Sequence, residues 1–190
     1  MLKDLIMKCR SYRRFDESHA ISKETLLSLV ELARFSPTGA NMQPLKFMLV
    51  NEKAKNEKIF PHIAWAGTLK DWCGPVAGER PTAYIVILGD TTIAKNFGLN
   101  HGICAQSMML GAVEQGLGGC MIGAFNKEGV QNALAVPEQY EVLLLLALGK
   151  PIETVVIDDM NAGDSFAYYR DEKQVHHVPK RKLEDLCICD

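Results

Sequence analysis

The chain has 190 residues, 47% of them hydrophobic and 23% charged. That length suits one compact domain with a substantial core rather than two, and the composition excludes a disordered, collagenous or supercharged protein. The 21 basic and 23 acidic residues leave a formal net charge of -2, so no broad positive field supports nucleic-acid binding, and small molecules are the expected partners.

Residues 2–8 carry Leu2, Leu5 and Ile6 at helical spacing, with a break at Cys9-Arg10-Ser11. Charges recur every few residues from Met1 to Phe15, so the segment lacks the apolar stretch of a signal peptide, and a cytoplasmic protein is expected. Ser22 is an N-cap for a helix over residues 23–34, where Leu26, Leu29, Val30 and Ala33 form a stripe, and Pro37 stops it. A strand follows over residues 45–50. Residues 51–78 are irregular, with Pro61, Trp65, Gly67, Trp72 and Gly74-Pro75, and short helices and a loop over the site are expected there. Residues 82–88 read as a buried strand between Pro81 and Gly89.

Residues 100–115 form the most apolar helix, apolar nearly all round, which predicts deep burial or packing against a second subunit. Gly116-Leu117-Gly118-Gly119 then leads into a short strand at residues 120–122. Asn126 caps a helix to about Ala135, and residues 142–148, the longest apolar run, form a central strand far too short to span a membrane. Helices and strands are interspersed without repeats, so the pattern predicts a single α+β domain over residues 1–190. The last forty residues show no long apolar element and read as an extended arm.

The six cysteines are expected to be reduced thiols, because a chain of this size without an export signal needs no staples. Cys187-Ile188-Cys189 and the adjacent His176-His177 are the closest approach to a metal set, but neighbouring imidazoles cannot easily aim at one ion, and no metal site is predicted. His101, at the start of its helix, reads as a polar terminal residue, and Met108 and Met109 as core or interface filling.

Two clusters point to ligand chemistry. Arg10, Arg13 and Arg14 stand beside Ser11 in a break after a helix; guanidinium forks match phosphate oxygens and a hydroxyl adds a donor, although a solvated basic turn has the same appearance. Ser36-Pro37-Thr38-Gly39-Ala40-Asn41-Met42-Gln43-Pro44 offers planar amides suited to the edge of a heterocycle, or else is an ordinary helix-to-strand turn.

Arg10 to Phe15 resembles the R-S-x-R-x-F box of the nitroreductase family, and Ser36 to Pro44 resembles its S-P-S/T-x-x-N-x-Q-P box. Gly116 to Phe125, Leu148 to Pro151 and Val178 to Arg181 are similar to its later landmarks, in the same order. The resemblance implies a nitroreductase-like fold with a mostly antiparallel sheet flanked by helices, in an intertwined homodimer with an extended C-terminal arm. It implies bound FMN at the dimer interface and NAD(P)H as electron donor. Arg10 and Ser11 would hold the FMN phosphate, with Lys180 and Arg181 closing on it. Arg13 would lie nearer the flavin N1 and C2 carbonyl. Pro37, Thr38, Gly39, Asn41 and Gln43 would come from the other subunit, and Ile122, Gly123 and Ala124 would bring backbone N–H groups near N5. No side chain is expected to be catalytic, because the flavin carries the chemistry.

Two departures from the family pattern stand out. Cys9 occupies a position where many relatives have arginine, and Leu45 replaces the usual tryptophan after Gln43-Pro44. The resemblance implies a ping-pong cycle in which NADH or NADPH reduces FMN and a small electron-poor acceptor, such as a nitroaromatic or a quinone, reoxidises it. The alternatives are a flavin-binding sensor or carrier without turnover, and a dimeric member that has lost the flavin.

Overall fold

Four apolar segments build a central antiparallel sheet in the computed structural model, which describes residues 1–188. They are β1 (Leu45–Val50), β2 (Ala83–Asp90), β3 (Gly118–Ile122) and β4 (Tyr140–Gly149), in the order β1-β2-β4-β3. All eight residues of β2 are buried, because helices cover both faces of the sheet. Ile85, Ile87, Leu146 and Leu148 point to one face, where they meet Leu26 and Leu29 of α2 (Lys23–Arg34) and Met108 and Ala112 of α4 (Asn100–Glu114). Val86, Leu88, Leu145 and Ala147 point to the other, against Ile59 of α3 (Lys53–Ile59), Val130 of α5 (Lys127–Leu134) and Trp65. The period-2 alternation of β2 and β4 thus divides the core into two layers, each fully buried Leu or Ile contributing about 1.5–3 kcal/mol.

The caps expected from sequence form. Ser22 Oγ accepts from the Thr25 N–H at 3.1 Å and Asn126 Oδ1 accepts from the Gly129 N–H at 2.9 Å. The first helix is α1 (Leu2–Lys8), and every predicted helix and strand of the first 150 residues is present in the predicted order. Residues 51–78 hold α3, a 3₁₀ turn (Phe60–His62) and a loop. Among the described residues no helix is long and apolar enough to cross a membrane.

The C-terminal segment departs from the expected arm. It folds into a second, three-stranded sheet of β5 (Val155–Met160), β6 (Tyr169–Arg170) and β7 (His176–Arg181), with β7 in the middle, parallel to β5 and antiparallel to β6. These strands carry Asp158, Asp159, Lys180 and Arg181, so no apolar run announces them. Their cohesion comes from cross-strand contacts instead. The His177 ring stacks on Tyr169 at 4.7 Å, and its Nδ1 lies 2.8 Å from Asp158 Oδ2. Among the described residues the cysteines are free thiols; Cys189 lies outside them.

Candidate functional site

The basic segment after α1 is fixed by the exposed edge of β3. The Tyr12 N–H donates to the Gly119 carbonyl at 2.9 Å, and Ser11 pairs with Gly119 in a parallel bridge. A Cβ on Gly119 would stand 2.4 Å from the Ala147 carbonyl oxygen, so the close approach of β3 to β4 requires glycine there. Fully buried Phe15 bridges to Pro151 and donates its N–H to the Glu79 carbonyl at 2.9 Å. Arg14 turns away from this edge into a bidentate pair with Glu79, at 2.7 and 2.5 Å, and is accounted for by that ion pair.

Arg10, Ser11 and Arg13 instead line a cleft of about 370 Å³ together with Lys180 from β7, Gln106 and Met109 from α4, and Tyr168 and His176. Arg13 is only 9% exposed, yet the groups its guanidinium directly meets are neutral. Nη1 donates to the Ser11 carbonyl at 3.2 Å and meets His176 Nε2 at 3.4 Å, while the guanidinium carbon lies 4.9 Å from the Tyr168 ring centroid. Arginine has no acceptor, so His176 Nε2 accepts and the ring proton sits on Nδ1, which is buried without a partner. Burial, reinforced by Arg13, Arg170 and His177, pushes the His176 pKa down to about 4 and keeps the ring uncharged.

Glu153 would be the natural counter-ion, but its carboxylate is spent elsewhere. Oε1 accepts the backbone N–H groups of Arg13 and Arg14, and Oε2 pairs with Arg170 at 3.0 Å, leaving the Glu153 side chain 1% exposed. Arg170 in turn lies over the Trp72 ring, 4.3 Å from its centroid. Glu153 therefore ties the C-terminal sheet to the basic segment without neutralising the Arg13 side chain, which has no carboxylate in ion-pair range among the described residues. Arg10 Nε is also buried without a partner. A buried cation facing a cleft with neutral neighbours is an anion site by electrostatics, and a phosphate or the electron-rich edge of a heterocycle fits it. Cys9 lines the same cleft; burial raises its thiol pKa above the ordinary value, so it adds no charge where an arginine would.

A second hollow of about 140 Å³ adjoins the first, sharing Arg13 and Met121, and carries Ile122, Gly123 and Ala124 opposite Trp65, Ala66 and Gly67. The Ala124 carbonyl accepts the Ala64 N–H at 2.9 Å, while the N–H groups of Gly123 and Ala124 have no protein partner among the described residues. The irregular segment after α3 thus borders the site, as its position in the sequence implied.

The other predicted residues stand apart. Thr38, Asn41 and Gln43 line a separate hollow of about 310 Å³ that shares no residue with the cleft. Gly39 N–H donates to Asn100 Oδ1 at 2.9 Å and Ser36 Oγ lies 2.7 Å from Ser107 Oγ, so the loop is fixed to α4. Ala40, Asn41 and Gln43 all have positive φ, at 49, 54 and 50°, a conformation that costs a non-glycine residue of order 1–3 kcal/mol. Pro37 and Gly39 are exposed. Leu45 begins β1 and packs against the α2–α4 side of the core, where the missing tryptophan leaves an aliphatic contact. Arg181 follows Lys180 in β7 and is absent from the cleft lining, as strand alternation requires of neighbouring residues.

The sequence matches the model of the nitroreductase family over residues 6–150. The chain belongs to the nitroreductase family. This is a family of FMN-dependent oxidoreductases with NAD(P)H as electron donor. The nitroreductase-family chain is 25% identical over 179 residues to a Bacillus subtilis (strain 168) protein provisionally named NAD(P)H nitroreductase YodC, covering 78% of this chain and 89% of that one. It is 27% identical over 184 residues to an oxygen-insensitive NADPH nitroreductase of Helicobacter acinonychis (strain Sheeba), covering 80% and 88%. Its fold matches a solved FMN-dependent nitroreductase from Clostridium difficile R20291 with a TM-score of 0.62 at 22% identity, over 78% of this chain and 87% of that one.

Sequence patterns did not point to Gln106, Tyr168 and His176 in the cleft lining, or to Glu153 behind Arg13. Tyr168 and His176 stand in the stretch read as a featureless arm, and only the long-range closure of β7 onto β5 and β6 brings them to Arg13. Glu153 follows the Leu148-Gly149-Lys150-Pro151 landmark by two residues, the one local signal for it.

Proposed function

We propose that the chain is an FMN-dependent NAD(P)H oxidoreductase that reduces a small electron-poor acceptor, such as a nitroaromatic or a quinone, and works as a homodimer. The observation that carries this is Arg13: a buried guanidinium with only neutral partners, opening on a cleft that also holds Arg10, Ser11 and Lys180. When bound, FMN would supply hydride and electron transfer between nicotinamide and acceptor.

The residues of the chain bind and orient. Arg10, Ser11 and Lys180 suit the phosphate, while Arg181 lies outside the cleft lining and would add only longer-range positive charge. Arg13 sets a fixed positive charge where the ring's pyrimidine edge would lie, a placement that favours electron uptake. The free N–H groups of Gly123 and Ala124, following Ile122, offer hydrogen bonds at the ring's centre. The ping-pong cycle is what the resemblance implies: the sequence offers no separate nucleotide-binding box, so donor and acceptor would use one flavin face in turn.

Pro37, Thr38, Gly39, Asn41 and Gln43 are assigned to the site of a second copy. Their loop is exposed, held in strained backbone, and continuous with an apolar groove of about 430 Å³ between α1, α2 and α4, where Phe35 is 69% exposed. An apolar face of that kind suits burial against another subunit.

Purification without added cofactor, followed by anaerobic mixing with NADH and NADPH separately, tests the assignment. A yellow protein whose visible absorbance is bleached by a nicotinamide and restored by a quinone or nitroaromatic is expected. A colourless protein that FMN cannot reconstitute would overturn it, and a yellow one that neither nicotinamide bleaches would point to a sensor.

A further inference from the structure

We propose that a second small-molecule site lies toward the opposite edge of the sheet from the cofactor cleft, taking a single-ring aromatic carboxylate that also bears a hydroxyl or amino group. The cleft is built on edge strand β3. This cavity, of about 220 Å³, opens instead where β1 ends and β2 begins, between α3 and the segment leading into α2, and shares no lining residue with either part of the cleft.

Three polar groups in its lining lack partners. The Arg80 guanidinium lies over the Phe60 ring, 4.2 Å from the centroid, with Nε buried and unpaired and no carboxylate in ion-pair range among the described residues. A guanidinium placed on an aromatic face keeps its in-plane N–H edge for a bidentate carboxylate. Asn56, 8% exposed, donates Nδ2–H to the Thr82 carbonyl at 2.7 Å, which leaves its Oδ1 buried without a donor, and Thr82 Oγ1 is buried and unpaired beside it. Buried polar atoms are ordinarily paired, so the site calls for a ligand that presents an anion to Arg80 and an O–H or N–H to Asn56. Phe60, Pro81 and the buried Tyr84 ring supply walls for an apolar body between those two ends.

Glu17 is the competing charge in the lining: its Oε2 accepts the backbone N–H groups of Gly78 at 2.6 Å and of Arg80 at 3.3 Å, which holds the carboxylate on the backbone and out of an ion pair with the Arg80 guanidinium, while Lys53 and Glu57 are exposed, one charge of each sign. Several waters, at about 30 Å³ each, would also fill the space, and the experiment separates them from a ligand.

Calorimetric titration of 4-hydroxybenzoate into the full chain, with and without FMN, provides the test. Saturable one-to-one binding is expected in both forms, with little change in the flavin spectrum, weakened at least tenfold in Arg80→Gln and abolished in Ala20→Phe, which plugs the mouth from an exposed position. Benzoate, without the hydroxyl, should bind several-fold more weakly. Circular dichroism confirms that each variant is folded, and Ala20→Phe, outside the core, carries the test if Arg80→Gln is not. Absence of saturable binding, binding that shifts the flavin spectrum and ignores both substitutions, or a crystal soaked with 4-hydroxybenzoate that shows only waters in the cavity would each overturn the proposal.

Discussion

The two segments singled out as cofactor boxes have opposite relations to the rest of the chain. The basic segment, Arg10 to Phe15, is completed within the chain: β3 fixes its backbone, Glu153 holds its N–H groups, and β7 and Tyr168 close over Arg13. The loop Ser36 to Pro44 is locally ordered by Asn100 and Ser107 but meets no part of that cleft, and it keeps three non-glycine residues in left-handed backbone at its exposed tip. A segment that is rigid, strained and facing outward is prepared for a partner, whereas one that is buried and charge-bearing is prepared for a ligand. The first half of the site should therefore respond to mutation through both stability and FMN, and the second through FMN alone.

The largest effect is expected at Glu153. Glu153→Ala leaves Arg170 buried without its counter-ion and frees two backbone N–H groups, which should cost about 3–5 kcal/mol in chemical denaturation and loosen FMN as well. Next comes pH. His176 is neutral in the folded chain with a pKa pushed down to about 4 from an ordinary 6.5, so the unfolded chain binds the extra proton first. Stability should fall as pH drops from about 6.5 toward 4, by up to about 3 kcal/mol, and level off below; His176→Gln should flatten that part of the profile. Arg13→Ala removes the buried positive charge and should raise the FMN dissociation constant at least roughly thirtyfold, equivalent to about 2 kcal/mol, as read by flavin fluorescence titration. Smallest is Asn41→Ala, expected to weaken FMN about fivefold, equivalent to about 1 kcal/mol, with an unchanged melting temperature. A large loss of stability in Asn41→Ala would erase the contrast between the two segments.

Much of this was legible in the sequence where the signal is local. Ser22 and Asn126 gave their helices' starts, and the apolar run of residues 82–88 between Pro81 and Gly89 gave a buried strand. The Gly116-Leu117-Gly118-Gly119 run gave the passage from a helix to a short strand, and Arg10, Ser11 and Arg13 stood out as one basic cluster because adjacent residues carry that chemistry; the fold brings them into one cleft. Long-range pairing was not legible. β5 and β7 are held together by His177, Asp158 and Tyr169 rather than by apolar runs, so the segment reads as an arm until its ends meet. For the same reason His176 was visible only as half of a weak metal pair, when its role is to sit uncharged against Arg13. Strand alternation likewise separates Lys180 from Arg181, which a linear motif treats as one unit.

The most direct test of a site shared between two copies uses a mixed dimer. Arg13→Ala and Asn41→Trp chains, each with a different affinity tag, are co-expressed, and the doubly tagged species is titrated with FMN. If Arg13 and Asn41 serve the same flavin from different subunits, one site in the mixed dimer carries both substitutions and the other carries neither. Half the sites should then bind FMN with wild-type affinity, although each parent homodimer binds poorly. If both residues act on a flavin held within one chain, neither site of the mixed dimer will bind with wild-type affinity, and if Asn41 takes no part, the Asn41→Trp homodimer will itself bind FMN normally; either result contradicts the account of the shared site.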